Sequence, residues 1–191
     1  MTRISLSALA ALALAGCGTS ETSNQLNAPA ALPSENDLNG DLNATTAQQV
    51  VAQLRTSQGA SAGSATVTPV ADGLALAVTV EGLPPGQHGV HIHMVGRCDA
   101  PTFESAGAHW NPSNRQHGLE NAQGPHAGDM PNLTVGEDGR GSLEHRLGGN
   151  LDNFLDADGS ALVVHAAVDD QRTDPSGNSG GRIACGVFAV E

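Results

Sequence analysis

The chain reads as an all-β protein, a sandwich or barrel of short strands that carries two long functional loops. Three observations lead there. Apolar and polar residues alternate at period two in several short runs. Asp-Gly pairs, Asp72-Gly73 and Asp138-Gly139, separate neighbouring runs, as two-residue hairpin turns require. Glycine is abundant, at 24 of 191 residues, without a collagen-like period, which suits many tight turns.

In chain order, residues 1–16 are an address rather than structure. Arg3 supplies a short positive start, and the apolar run "ISLSALAALALAGC" has the length of a signal peptide core rather than of a membrane span. Leu14-Ala15-Gly16-Cys17 resembles a bacterial lipobox, in which the cysteine is lipidated and everything before it removed; an ordinary secretory cleavage nearby is the alternative. The expected place is therefore the cell envelope, membrane-anchored through Cys17 and facing the periplasm or the exterior. Gly18, rather than Asp, after that cysteine points to the outer membrane where a cell has two. Residues 18–44 are rich in Ser, Thr, Asn, Ala and Pro and cannot bury a core, so they read as a tether. Thr45 or Thr46 would cap a short helix over residues 46–55, with Val50, Val51 and Leu54 on one side. "SQGASAG" restores a linker composition. The tether as a whole is placed at 17–61 and the folded domain at 62–191.

Strands are expected in "SATVTPV", "LALAVTVEG", "GVHIHM", both halves of "NLTVGEDGRGSLEHRL", "SALVVHAAV" and "GRIACGVFAV", seven or eight in all. Between them lie two long connections, residues 95–131 and 168–181. Long loops without secondary structure are usually functional, so the chemistry is expected there.

Composition excludes some functions. The formal charge is −12 and all eight basic residues are arginine, a poor basis for binding nucleic acid or an anionic membrane surface. With three Phe, one Trp and no Tyr, stacking on bases or sugars is not a main activity. Cysteines number three: Cys17, Cys98 and Cys185. If Cys17 carries lipid, the other two most simply form one disulfide in an exported chain.

The histidines carry the functional signal. In a strand, residues i and i+2 share a face. Val90, Ile92 and Met94 would point into a core, and His91 and His93 together to the other side. A pair of this kind is either a metal clamp or two solvated surface residues. The rest of the chain favours the clamp: the long loop carries His109, His117 and His126, with Asp129 three residues later, and His165 ends the apolar run "ALVV". Imidazole suits zinc and copper, and a carboxylate completes a zinc site. So many such residues, without clustered cysteines, suggest more than one metal.

"GVHIH", "AGAHWNPSNRQHG", "GPHAGDMPNL", "ALVVHAAVDD" and "GNSGGRIACGV", in this order and spacing, resemble copper–zinc superoxide dismutase of the bacterial secreted type, from about residue 62 to 190. The resemblance implies an eight-stranded Greek-key β-barrel and a bimetallic site. In it His91, His93 and His165 are copper ligands, and His109 is shared between copper and zinc. His117, His126 and Asp129 complete the zinc site, and Asp169 links a copper-side to a zinc-side histidine. Arg182 stands beside the open copper position, and Cys98–Cys185 is the family disulfide, in agreement with the cysteine count. One copper and one zinc per subunit are implied, with superoxide as substrate and a monomer or homodimer as the assembly. The implied chemistry is one-electron cycling of copper, with Arg182 and His109 as catalytic groups. Because the chain is acidic overall, Arg182 must focus the anionic substrate locally; Arg172 is either an assistant or a solvated loop arginine. His88 is expected to be scaffold, and His145 a surface residue near a strand end. Met94 stands where many members carry an acidic residue, and Trp110 replaces a common Phe. A non-catalytic metal store on the same fold, or an adhesion sandwich on a lipid tether, are the competing classes. The intact ligand set counts against both.

Overall fold

The computed structural model describes residues 48–190. The signal sequence expected over 1–16, the cysteine expected to carry lipid, Cys17, and the expected tether through residue 44 lie outside the described residues. Nine strands follow: β1 (Val50–Thr56), β2 (Ser61–Val70), β3 (Gly73–Val80), β4 (Gly86–His88), β5 (Val90–His93), β6 (Leu133–Val135), β7 (Gly141–Leu147), β8 (Ala161–His165) and β9 (Arg182–Val190). One turn of helix, α1 (Leu151–Phe154), lies between β7 and β8. The strands pair in the order β4-β6-β7-β3-β2-β1-β9-β8-β5, all antiparallel. The two edge strands, β4 and β5, are consecutive in the chain, so the sheet curls into a nearly closed Greek-key barrel. The connection from β3 to β4 skips the two strands lying between them.

Two expectations need correction. Of the helix expected over residues 46–55, the caps Thr45 and Thr46 lie outside the described residues, and residues 50–55 belong to a strand, β1, which pairs with β2 on one side and β9 on the other. Val50, Ala52 and Leu54 alternate inward at 0%, 0% and 1% exposure, and Gln53 and Arg55 are exposed on the other face. Period two wins because a barrel neighbour is available on each side, which a local helical reading of Val50, Val51 and Leu54 does not see. Residues 50–61, assigned to the tether, therefore belong to the barrel. The strand count is nine rather than eight because Gly89 divides one extended segment: β4 pairs with β6, and β5 with β8. At the break, Gly89 N–H donates to Ala167 O at 2.8 Å, and His165 N–H donates to Gly89 O at 2.8 Å.

Strand pleating divides β5 and β8 into two faces. Val90 and Ile92 pair with Val164 and Leu162, and all four lie in the main barrel core. His91 and His93 pair with Val163 and Ala161 on the opposite face. Val163 and Ala161 there join Phe103, Ala106 and Cys185 in a second, smaller apolar cluster, with Cys98 packed against it. The Cys98–Cys185 disulfide is formed and spans 87 residues of sequence; closing so long a loop stabilises by about 4–5 kcal/mol in the chain-entropy model. It pins the start of the long loop to β9, three residues from Arg182.

Candidate metal centre

The long loop returns along the open edge of β5. Ile92 N–H donates to Gly128 O at 3.0 Å, and Trp110 N–H donates to Ile92 O at 2.8 Å. These contacts lay His109 beside His93 and Asp129 beside His91, as isolated bridges. Gly128 is required by the close approach: a Cβ there would stand 2.4 Å from Ile92 O. Trp110 anchors the loop from the other side, its indole N–H donating to Asn153 O at 3.2 Å and its ring edge-on to Phe154.

Seven of the residues singled out from sequence, His91, His93, His109, His117, His126, Asp129 and His165, are all buried; six form two overlapping ligand groups, His91 with His93, His109 and His165, and His91 with His109, His117 and Asp129, and His126 joins the second through Asp129. In the first, His91, His93, His109 and His165 bring ligand atoms within 4.8 Å of one another. The nitrogens His91 Nδ1, His93 Nε2, His109 Nε2 and His165 Nε2 are all buried without a hydrogen-bond partner. Leaving one such atom unpaired costs about 1–3 kcal/mol. Four converging on one point are the signature of a cation-binding site rather than of a packed core. Their opposite nitrogens are tied down: His91 Nε2 to Asp169 Oδ2 at 2.7 Å, His93 Nδ1 to Gly107 O at 2.9 Å, and His165 Nδ1 to Gly180 O at 3.3 Å. Burial pushes these imidazoles toward the neutral form, His109 to about 4, His165 to about 3 and His93 well below its ordinary range. Neutral nitrogens with free lone pairs are what a metal needs.

The second cluster is centred on a carboxylate. Asp129 Oδ1 lies 3.0 Å from His109 Nδ1, 3.0 Å from His117 Nδ1 and 3.2 Å from His126 Nδ1. The two nitrogens His126 Nδ1 and His109 Nδ1 are 3.4 Å apart. A tetrahedral zinc with ligands at about 2.0–2.1 Å has ligand–ligand edges of about 3.3 Å, and the separations from Asp129 Oδ1 and between His126 and His109 are of that size. The other carboxylate oxygen is held by backbone, accepting from Gly118 N–H at 2.9 Å and His126 N–H at 3.0 Å. Burial disfavours the charge on Asp129, but hydrogen bonds from the three histidines and Gly118 outweigh it and hold the group far below the carboxylate range. His117 is likewise buried, yet its bonds to Asp129 and to Asp169 raise it to about 9.

His109 has one nitrogen in each cluster. Asp169 bridges them on the far side, 2.7 Å from His91 Nε2 and 3.0 Å from His117 Nε2. Gly177 packs against that bridge so closely that a Cβ would stand 1.8 Å from Asp169 Oδ1. His91 also lies within reach of the second cluster, its ring stacked on His109 with centroids 4.0 Å apart. Its Nε2 is occupied by Asp169, which leaves Nδ1 for the first cluster.

Arg182 opens β9 opposite His165, where the β8–β9 register shifts by a bulge. Its guanidinium donates to Phe103 O at 2.6 Å and to Gly107 O at 2.8 Å. Phe103 is buried and holds a positive φ of 56°, a costly conformation for a bulky residue. It turns its carbonyl to Arg182. Gly107 O also accepts from His93, so arginine and ligand share one anchor.

The other residues named from sequence divide between those that meet expectation and those that depart from it. Arg172 does not face the first cluster; it pairs with Glu120, Nε to Oε2 at 2.8 Å, across the two loops. Met94 does not enter the core. It lies beyond the end of β5 and is 45% exposed, on a groove shared with His109, Trp110 and His126. His145 lies two residues before the end of β7, in register with the buried Leu76, and is half-buried rather than fully at the surface. His88 is buried with both ring nitrogens on carbonyls, His165 O at 2.8 Å and Pro84 O at 2.9 Å, a scaffold position. Asp174, which no sequence motif singles out, reaches the second cluster: its Oδ1 accepts from His117 N–H at 2.6 Å. No local signal marks it, because its partner is 57 residues away.

A Greek-key barrel with an all-nitrogen cluster and a carboxylate-centred cluster sharing one imidazole defines a two-metal β-barrel protein. The family model for copper/zinc superoxide dismutase matches residues 61–188. The chain belongs to the copper/zinc superoxide dismutase family, whose cofactors are copper and zinc. It is 46% identical over 125 residues to the superoxide dismutase-like protein YojM of Bacillus subtilis, spanning 61% of this chain and 63% of that protein. It is 39% identical over 146 residues to superoxide dismutase [Cu-Zn] 2 of Aquifex aeolicus, 72% of this chain and 84% of that one. The crystal structure of a SOD-like protein from Bacillus subtilis superposes with a TM-score of 0.69 at 40% identity, covering 73% of this chain and 97% of that one.

Proposed function

We propose that this chain disproportionates superoxide to dioxygen and hydrogen peroxide in the cell envelope. Copper would be held by His91, His93, His109 and His165, and zinc by His109, His117, His126 and Asp129. The observation that carries the reading is His109, whose Nε2 is one of four buried unpartnered histidine nitrogens and whose Nδ1 lies 3.0 Å from Asp129 Oδ1 in the carboxylate-centred cluster. Copper in the nitrogen cluster supplies one-electron cycling, which zinc, a d¹⁰ ion, does not. His109 Nε2 is the atom that can hold and release a proton between half-reactions while Nδ1 stays engaged on the other side. Asp169 fixes the rings of His91 and His117 together, so the two sites keep one geometry. Arg182, held by two loop carbonyls, keeps a positive charge beside His93 and His165, and it draws a small anion toward an otherwise acidic molecule.

The site of action rests on sequence alone: export by residues 1–16 and lipid anchoring through Cys17 would put the enzyme at a membrane, facing the periplasm or exterior. Cys17→Ala is expected to release it to the soluble fraction. The test of activity is metal analysis together with a superoxide-removal assay on the same preparation. About one copper and one zinc per chain with removal of superoxide is the expected result; tight metal binding without removal would make the chain a metal store instead.

A further inference from the structure

The loop from Val168 to Gly181 carries three acidic side chains with different duties. Asp169 bridges His91 and His117. Asp170 is spent on its own loop, accepting from Arg172 N–H, Thr173 N–H, Thr173 Oγ1 and Asn178 Nδ2. Asp174 faces the carboxylate-centred cluster from outside. Its Oδ1 accepts from His117 N–H at 2.6 Å and stands 3.7 Å from His126 Nε2. Its side chain is 49% exposed and borders the groove that His109, Trp110 and His126 also line.

A histidine that binds a metal through Nδ1 carries its proton on Nε2, and the partner of that Nε2 fixes ring and tautomer. His117 and His126 both turn Nδ1 toward Asp129 Oδ1. For His117 the Nε2 partner is Asp169, at 3.0 Å. For His126 the carboxylate facing Nε2 is Asp174. At 3.7 Å this contact is electrostatic rather than a hydrogen bond. It still favours the tautomer protonated at Nε2, with the Nδ1 lone pair facing the other ligand atoms. The same oxygen pins the backbone of His117, so one carboxylate from the second loop acts on two ligands of the first. The loops are also joined beside this point: Glu120 N–H donates to Gln171 O at 3.0 Å, and Asn121 Nδ2 donates to Arg172 O at 3.2 Å.

We propose that Asp174 is a positioning residue for the zinc cluster, orienting His126 through Nε2 and His117 through its backbone N–H. This rests on reading that cluster as the zinc site. Metal-free full chain would be titrated with Zn²⁺ against a competing chelator dye, and with Co²⁺ for the visible bands of a tetrahedral site, comparing wild type, Asp174→Ala and Asp174→Asn. Asp174→Ala is expected to weaken zinc binding about 10–100-fold, the usual effect of losing an outer carboxylate, and to shift the Co²⁺ bands. Asp174→Asn keeps an acceptor oxygen and is expected to recover most of the loss. Unchanged zinc affinity and Co²⁺ bands in Asp174→Ala would overturn the proposal, even if the metal-free protein melted lower. Equal losses in the Ala and Asn variants would overturn the acceptor role. A wild-type chain that binds no zinc would instead overturn the reading of the cluster itself.

Discussion

The nitrogen cluster and the carboxylate cluster share His109 but are made of different material. The first is built on strands. His91, His93 and His165 sit on β5 and at the end of β8, and every free nitrogen in it is unpartnered and neutral by burial. The second is built almost wholly on loops. His117, His126 and Asp129 are held by backbone amides and by one another, and the carboxylates Asp129 and Asp169 outweigh burial at His117. The difference separates two tasks. A rigid, uncharged nitrogen set is suited to a metal that changes oxidation state, because it brings no fixed anion that favours one state strongly. A charged, closed set is suited to an ion that stays, and it keeps the shared imidazole in place.

The largest expected effect tests that division directly. His93→Ala should abolish superoxide removal while zinc is retained at about one per chain, read by metal analysis on the same sample. His117→Ala should do the reverse in kind: zinc falls, while copper binding and part of the activity persist. Loss of both metals in both variants would mean that the clusters form one cooperative unit, and the division would fail.

Arg182 belongs to the nitrogen cluster by its carbonyl anchors. Field focusing raises association by roughly 10–10³, so Arg182→Ala should lower kcat/KM within that range at low salt and lose most of its salt dependence. Metal content should not change. Turnover equal to wild type at low and high salt alike would remove the steering role.

Protons should distinguish the clusters next. His109 and His165 titrate near 4 and 3, below the ordinary histidine value of 6.5, because burial disfavours their charge. Copper binding is therefore not limited by protons until the pH falls to about 4. At His117, burial is outweighed by Asp129 and Asp169, which raise it to about 9, so zinc must displace a proton at neutral pH. Zinc affinity should tighten about tenfold per unit between about pH 7 and pH 9, and copper affinity should stay flat over that range. Stability of the metal-free protein has two signs. The unfolded chain takes up protons at His109 and His165 below about 6.5 while the fold does not, so stability falls as pH drops toward 4 and 3. The His117 contribution is complete below 6.5 and is lost as pH rises through about 9. Thermal melts of metal-free protein across this range would show both flanks.

What could be read in advance follows the same boundary between local and distant causes. Val90 to His93 declares its two faces by period two alone, and the Asp-Gly turns declare their hairpins. The motif order was enough to gather the seven metal-type residues. β1 is ambiguous in sequence because Val50, Val51 and Leu54 fit a helix as well as Val50, Ala52 and Leu54 fit a strand, and what decides is β9, paired as Val50↔Val190. β4 is three residues between Pro85 and Gly89 with no apolar run to announce it. Met94 continues the inward alternation of Val90 and Ile92 on paper, but the strand ends at His93, and its backbone N–H turns to Ala108 O. Asp174 meets its partner only through the docking of two loops.

The smallest expected effect concerns the second arginine near the site. Arg172 lies in the same loop as Asp169, and sequence alone allows it to help Arg182. Its guanidinium is instead exposed and paired with Glu120, itself exposed, so its charge is largely cancelled where it stands. An exposed ion pair contributes about 0–1 kcal/mol. Arg172→Ala should therefore leave kcat/KM and its salt dependence within about twofold of wild type and shift the melting temperature by only a few degrees. Glu120→Ala is the sharper partner experiment, because it frees the Arg172 charge without removing it. If the freed arginine steers, kcat/KM at low salt rises and salt lowers it again. If it only ties the two loops together, neither changes, and all focusing belongs to the arginine anchored on Phe103 and Gly107.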